Sequence, residues 1–217
     1  MKSFFTEQWK ALALLSFPAL WIGVFPIWSN WILKPPLNEP ISLATAGSIK
    51  EVIEVRSLEP LELTFIFDRE GQSFEELKRL IGDGGVCVPP TPCTKGVNVP
   101  LAWAIREFDT LQVVASGNSD TFDANGWSSN EIHRHITRLD LPPGKYEFSA
   151  AVLRPVTELS HVATRLRLSI RSKSDQTWQM GAVWWGSIGK VLLAWPIGIY
   201  ALFMLFRASL ARRQKTH

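Results

Sequence analysis

The chain has 217 residues, enough for one ordinary domain with additional segments, and its content of 46% apolar and 20% charged residues excludes a disordered chain. The net charge of +3 does not mark a nucleic-acid-binding face. Residues 34–180 carry 16 basic and 19 acidic side chains, while the two ends together carry 7 basic and one acidic.

Taken in chain order, residues 1–10 form a short N-terminal segment with Lys2 and Lys10 against Glu7. Residues 11–33 follow without a charge. A helix of that length extends about 34 Å, enough for the hydrocarbon core of a bilayer, and predicts a first transmembrane helix. Pro18 and Pro26 are tolerated there with a kink. Trp28 and Trp31 fit the aromatic belt at its exit. The competing reading is a cleaved signal peptide, since Ala44-Thr45-Ala46 has a small-x-small form. The apolar run is longer than a signal-peptide core and ends well before that site, so a retained span is expected.

Residues 34–48, with Pro35, Pro36 and Pro40, read as a stiff linker, and residues 49–175 as the folded domain. Residues 51–57 are rich in β-branched side chains. Leu61, Leu63, Phe65 and Phe67 alternate with Glu62, Thr64 and Ile66, which predicts a half-buried strand. Residues 73–81 form the one clear soluble helix. Ser73 and Glu76 make a capping box, Phe74, Leu77, Leu80 and Ile81 one apolar face, and Gly82 a stop. Residues 83–100 read as a Gly/Pro-rich loop. Strands are expected over 101–108, 111–116, 132–141, 145–153 and 164–172, with a turn-rich stretch at 117–130. Short strands at near-regular spacing without βαβ alternation predict a mainly β fold. The expected form is an antiparallel β-sandwich of seven or eight strands and one short helix, set between two transmembrane helices.

Residues 176–187 read as an interfacial segment and 188–206 as the second transmembrane helix. Its length suffices if Lys190 extends its amine to the interface, with Trp184 and Trp185 at the headgroup level. A functional intramembrane charge at Lys190 is the competing reading. Residues 207–217 form a basic tail carrying Arg207, Arg212 and Arg213. Positive flanks stay in the cytoplasm, so both termini are expected there, with the central domain periplasmic on a bacterial inner membrane.

The stretch Ile136-Thr137-Arg138-Leu139-Asp140-Leu141-Pro142-Pro143-Gly144-Lys145-Tyr146-Glu147-Phe148, followed by Glu158-Leu159, resembles a family of uncharacterised bacterial exported β-sandwich domains. In these a strand ends before a Pro-Gly turn and a Tyr opens the return strand. The resemblance implies fold and compartment, and no catalytic residue.

Cys87 and Cys93 are the sole cysteines, with five residues between them. In an oxidising compartment a disulfide is expected. It would brace the protruding Pro89, Pro90, Thr91 and Pro92 as a recognition loop. Two thiols are too few for structural zinc, and the spacing is not that of a Cys-x-x-Cys redox motif. His133 and His135 would share a strand face as exposed residues without a third ligand, so no metal or cofactor is expected. Asp68, Glu70, Asp120 and Asp123 lie in turn-like sequence, and no nucleophile elbow, metalloprotease helix or phosphate loop is present. Trp127 is either an exposed contact or a core residue. The sequence therefore predicts a non-catalytic interaction domain whose partners are membrane lipids and a periplasmic protein, not nucleic acid. An immunity protein against a periplasm-delivered toxin is one version. An accessory subunit of an envelope complex and a periplasmic hydrolase are the alternatives.

Overall fold

The computed structural model describes residues 2–82, 95–121, 124, 126–171 and 177–213, without the side chains of 2–8, 10–12, 14 and 208–213. The chain divides into two compact units, one formed by its two ends and the other by residues 34–174.

The central unit is mainly antiparallel β in two sheets. Its strands are β1 (Leu37–Pro40), β2 (Ser48–Val55), β3 (Leu61–Asp68), β4 (Val99–Glu107), β5 (Val113–Thr121), β6 (Gly126–Trp127), β7 (Glu131–Leu139), β8 (Gly144–Val152) and β9 (Thr164–Ile170). One sheet has the order β1-β9-β3-β7-β6 and the other β2-β8-β4-β5. Their inner faces close over one core that includes Leu63, Phe65 and Phe67 of β3, Leu166 and Leu168 of β9, Ile53 of β2, Phe148 of β8 and Leu101 and Ile105 of β4.

Three sequence expectations need correction. Leu37–Pro40 is not linker but an edge strand, Leu37 pairing with Leu168 and Pro40 with Arg165. Pro40 is tolerated because an edge strand leaves one side of its backbone unpaired. The β3 strand is not half-buried. It lies centrally between β9 and β7, so Thr64 and Ile66 on its outer face are buried as well. The stretch 117–121 is strand rather than turn, paired along β4. Gly117 there is a packing residue: a Cβ would come within 3.0 Å of the Trp103 indole across the ladder.

Helix α2 (Phe74–Ile81) matches its local signals. The Ser73 hydroxyl accepts from the Glu76 N–H at 3.1 Å, and Gly82 at φ 102 closes the helix with its N–H on the Lys78 carbonyl. At the turn from β7 to β8 the Tyr146 hydroxyl donates to the Pro142 carbonyl at 2.8 Å. Burial first, and the Glu107 charge second, raise that phenol above its ordinary pKa.

Antiparallel pairing sorts the sandwich into two ends. At the root end β1 begins and β9 finishes, so the chain enters and leaves there; the turns 56–60, 108–112 and 140–143 lie at the same end. At the opposite, crown end are the exit from β3, helix α2, the start of β4, the end of β5 and the start of β7.

The other unit consists of α1 (Lys2–Leu33), α3 (Trp178–Gly189), a π-helical turn (Lys190–Ala194) and α4 (Trp195–Arg213). The last three run on continuously. Helix therefore starts at Trp178, capped by Thr177, ten residues ahead of the expected second span. Among the described residues, Trp178–Arg207 is long and apolar enough to cross a membrane. Helix α1 runs antiparallel to it. The Trp21 indole N–H donates to the Gly186 carbonyl at 3.1 Å, Trp28 stacks on Trp178 at 6.5 Å, and Pro18 lies against Gly198. Gly186, Gly189, Ala194, Gly198 and Ala201 form a strip of small residues that lets α1 approach closely.

Candidate interaction surface at the crown of the sandwich

The crown is organised by two arginines. Arg134 lies in the middle of β7 and is 0% exposed. Its neighbours at period two, Ile132 and Ile136, share the inward face, so the strand register carries the guanidinium into the sandwich. Its Nη1 donates to the Val97 carbonyl at 2.7 Å and the Thr121 carbonyl at 3.0 Å, and its Nη2 to the Ile81 carbonyl. The guanidinium also sits over the Phe67 ring, 5.3 Å from its centroid. Arg134 thus ties together the end of α2, the segment leading into β4 and the end of β5. The flanking His133 and His135, expected to be exposed, are half-buried on the outer face of the same strand. The signal for the burial of Arg134 was present, since strand alternation through Ile132 and Ile136 assigns it to the core side.

Arg69 braces the neighbouring corner. Its backbone N–H donates to Asn130, its guanidinium to the Ser129 carbonyl, and it stacks over Phe74 at 5.6 Å. Phe74 in turn meets Trp127 edge-on, centroids 6.3 Å apart at 61°. Trp127 is 50% exposed on the edge strand β6, which decides between the two sequence readings: it is a presented side chain and not a core residue. The stems of the loop that holds Cys87, Pro89, Pro90, Thr91, Pro92 and Cys93 are held by the Arg134 bonds to Ile81 and Val97 and by the Val97 N–H on the Leu80 carbonyl at 2.7 Å. Those six residues lie outside the described residues, and the expected cystine with them.

The outer face of the five-stranded sheet carries a charged network near the same end. Arg165 donates to Asp68 at 2.7 and 2.9 Å and to Glu131 at 2.7 Å. Arg167 reaches Asn38 at 3.2 Å, and the His133 ring meets Glu131 at 3.2 Å. Burial pushes the Glu131 carboxyl up, but the hydrogen bonds from Arg165 and His133 and the arginine charges outweigh it and hold its pKa below the ordinary value. The bonds to Asp68 and Glu131 raise the Arg165 pKa in return. A depressed carboxyl stabilises the fold above its unfolded pKa, and that stability is lost as pH falls through the folded value. Replacing Glu131 by Gln is therefore expected to flatten the fall in melting temperature on the acid side of about pH 4, as measured by thermal unfolding across a pH series; an unchanged acid limb would contradict it. Both carboxylates already serve arginines, Asp68 and Glu131 each accepting from Arg165. His133 and His135 do share one face, but among the described residues no three His, Cys, Asp or Glu side chains are placed to hold a metal. A cleft of about 470 Å³ lies beside the network, between residues 40–43 and 160–165.

Of the residues assigned to the membrane interface, Trp31, Trp184 and Trp185 are exposed, and Trp28 is half-buried against Trp178. Lys190 is half-buried at the first position of the π-helical turn. Arg207 stacks on Phe203 at 5.9 Å, and Arg212 and Arg213 close α4, their side chains outside the described set.

A family model described as a domain of unknown function (DUF5625) matches residues 38–170. The chain belongs to that family. The match covers the sandwich from β1 to β9, as the Pro-Gly-x-Tyr resemblance implied, and the DUF5625 domain includes every residue of the crown described above. A crystal structure of a protein from Sulfurospirillum deleyianum is similar at TM-score 0.53 and 17% identity, covering 63% of this chain and 98% of that one. That likeness concerns the fold. No curated protein matches the chain.

Proposed function

We propose that this DUF5625 protein is a two-span inner-membrane protein whose periplasmic sandwich is a non-catalytic module for binding a protein partner through its crown. The observation that carries the reading is Trp127, a large aromatic presented to solvent on a braced corner, with Phe74 and Arg69 fixing it from behind. Aromatic side chains held rigidly and half-exposed are the usual anchors of protein interfaces. The antiparallel packing of α1 along the apolar helix Trp178–Arg207 supports a second span. The basic residues at the two ends then place both termini in the cytoplasm. A toxin delivered to the periplasm and a subunit of an envelope complex are the partner classes this reading admits. The net negative central unit speaks against nucleic acid.

Affinity capture with the detergent-solubilised full chain tests the binding surface. Trp127→Ala is expected to weaken capture of the partner by roughly 30-fold, the scale of a hot-spot anchor, while changing stability by less than about 1 kcal/mol. Undiminished capture by the Trp127→Ala chain would sink the crown as the binding site. An alkaline phosphatase fused after His217 is expected to stay inactive, and Leu153→Cys to label with an impermeant reagent from outside; the reverse pattern would invert the topology.

A further inference from the structure

We infer that the root end of the sandwich is a lipid-contacting surface that rests on the outer leaflet of the bilayer, an inference that rests on the membrane-anchored reading above. Leu58, Phe108, Leu111, Val113 and Val114 are exposed, and all sit at or beside the root turns 56–60 and 108–112. Leu58 is 65% and Leu111 60% exposed.

Leu111 carries the argument furthest. Its φ is 58°, the left-handed region that disfavours a leucine. The turn is tightly built around it. The Leu111 N–H donates to the Glu107 carbonyl at 2.9 Å, the Glu107 N–H to the Gln112 carbonyl at 2.9 Å, and the Thr110 hydroxyl to the Glu107 carboxylate at 2.6 Å. Glycine or asparagine would fit this position without strain. A leucine there costs backbone energy and recovers none by burial within the domain, so the residue answers to something outside it.

Chain connectivity supplies the occupant. The root is where the chain enters and leaves the sandwich, and β1 begins at Leu37, four residues after α1 ends at Leu33. At no more than about 3.6 Å per residue, that tether spans at most about 14 Å between Leu33 and Leu37, so the strand that opens the root starts close to where the first span leaves the bilayer in the membrane-anchored reading. Charge is not the attraction. Arg56 is held by Glu54 at 3.0 Å, Arg171 by Glu62 at 3.3 Å and Arg138 by Asp140 at 3.7 Å. The contact is therefore chiefly apolar insertion, with Lys145, exposed beside Phe108, adding at most a weak dependence on salt and anionic lipid.

The full chain in phosphatidylcholine vesicles tests this, with Cys87 and Cys93 replaced by Ser and single spin-labelled cysteines at Leu58, Leu111 or Leu153. Labels at 58 and 111 are expected to collide preferentially with oxygen, which concentrates in lipid, and the crown label at 153 with an aqueous nickel chelate, with little change in high salt. Leu111→Gly is expected to raise the melting temperature while moving the label at 58 at least two-fold toward water. In the chain with both cysteines intact, a photo-crosslinking side chain at Leu111 is expected to yield lipid adducts. Equal access of the nickel chelate at 58, 111 and 153 overturns the inference, as does shielding at 58 and 111 that grows with the protein-to-lipid ratio, which would mean a second copy covers the root. A chain that fails to float with the vesicles would instead overturn the membrane anchor itself.

Discussion

Replacing Arg134 by Met is expected to lower the unfolding free energy of the sandwich by about 3–5 kcal/mol, the summed cost of leaving three carbonyls without their shared donor at about 1–3 kcal/mol for each that finds no other. Methionine keeps much of the apolar volume, so the loss isolates the guanidinium. Three carbonyls lose their donor at once, those of Ile81 and Thr121 in buried bonds and that of Val97 in a part-buried one. Arg134→Lys keeps the charge but cannot present a planar fork to three acceptors, and should recover only part of the loss. Chemical denaturation of the detergent-solubilised chain measures this. Hydrogen exchange adds a local readout: the Val97 N–H, bonded to the Leu80 carbonyl, should exchange far faster once the stems are untied. A loss below about 1 kcal/mol would mean that the carbonyls find other donors and that Arg134 is not the tie of the crown.

Gly186→Leu is expected to separate α1 from the C-terminal helix. A Cβ at Gly186 overlaps the Phe25 ring, which Trp21 and Trp28 flank with ring centroids 6.2 and 6.0 Å away, so the ring must shift outward and with it the packing of α1. The same change displaces the indole that donates to the Gly186 carbonyl. In the proposed two-span arrangement no hydrophobic effect restores the pair within lipid, so close packing and that hydrogen bond would be most of what holds it. Overpacking of this kind costs about 1–3 kcal/mol, a fall of roughly five- to a hundred-fold in the paired state. Pro18→Cys with Gly198→Cys reports it directly, because a Cβ at 198 lies 3.7 Å from the Cβ of residue 18, within disulfide reach. With Cys87 and Cys93 replaced by Ser, membrane-permeant oxidation should crosslink this pair efficiently, and Gly186→Leu should largely abolish the product. Crosslinking at the original yield would refute the packing.

The amino-acid sequence by itself determined the elements whose signals are local. Ser73, Glu76 and Gly82 bracket α2 through bonds between residues three or four apart. Alternation along β3, β8 and β9 marked strands, and the charge-free end residues marked apolar helices. The tertiary structure alone decided what depends on distant partners. Leu37–Pro40 looks like linker because the strand it pairs with lies about 130 residues later. Gly117 to Asp120 has the composition of a turn, yet forms a strand because Gly117 fits beneath Trp103 of β4. Ile66 and Thr64 become buried only because β3 lies between two neighbours. The presentation of Trp127 and the burial of Arg134 belong to the same class: each rests on which backbone ends converge at the crown. Local hydrogen bonding and side-chain periodicity are properties of short segments, whereas burial and convergence arise only when segments far apart in the chain share one core.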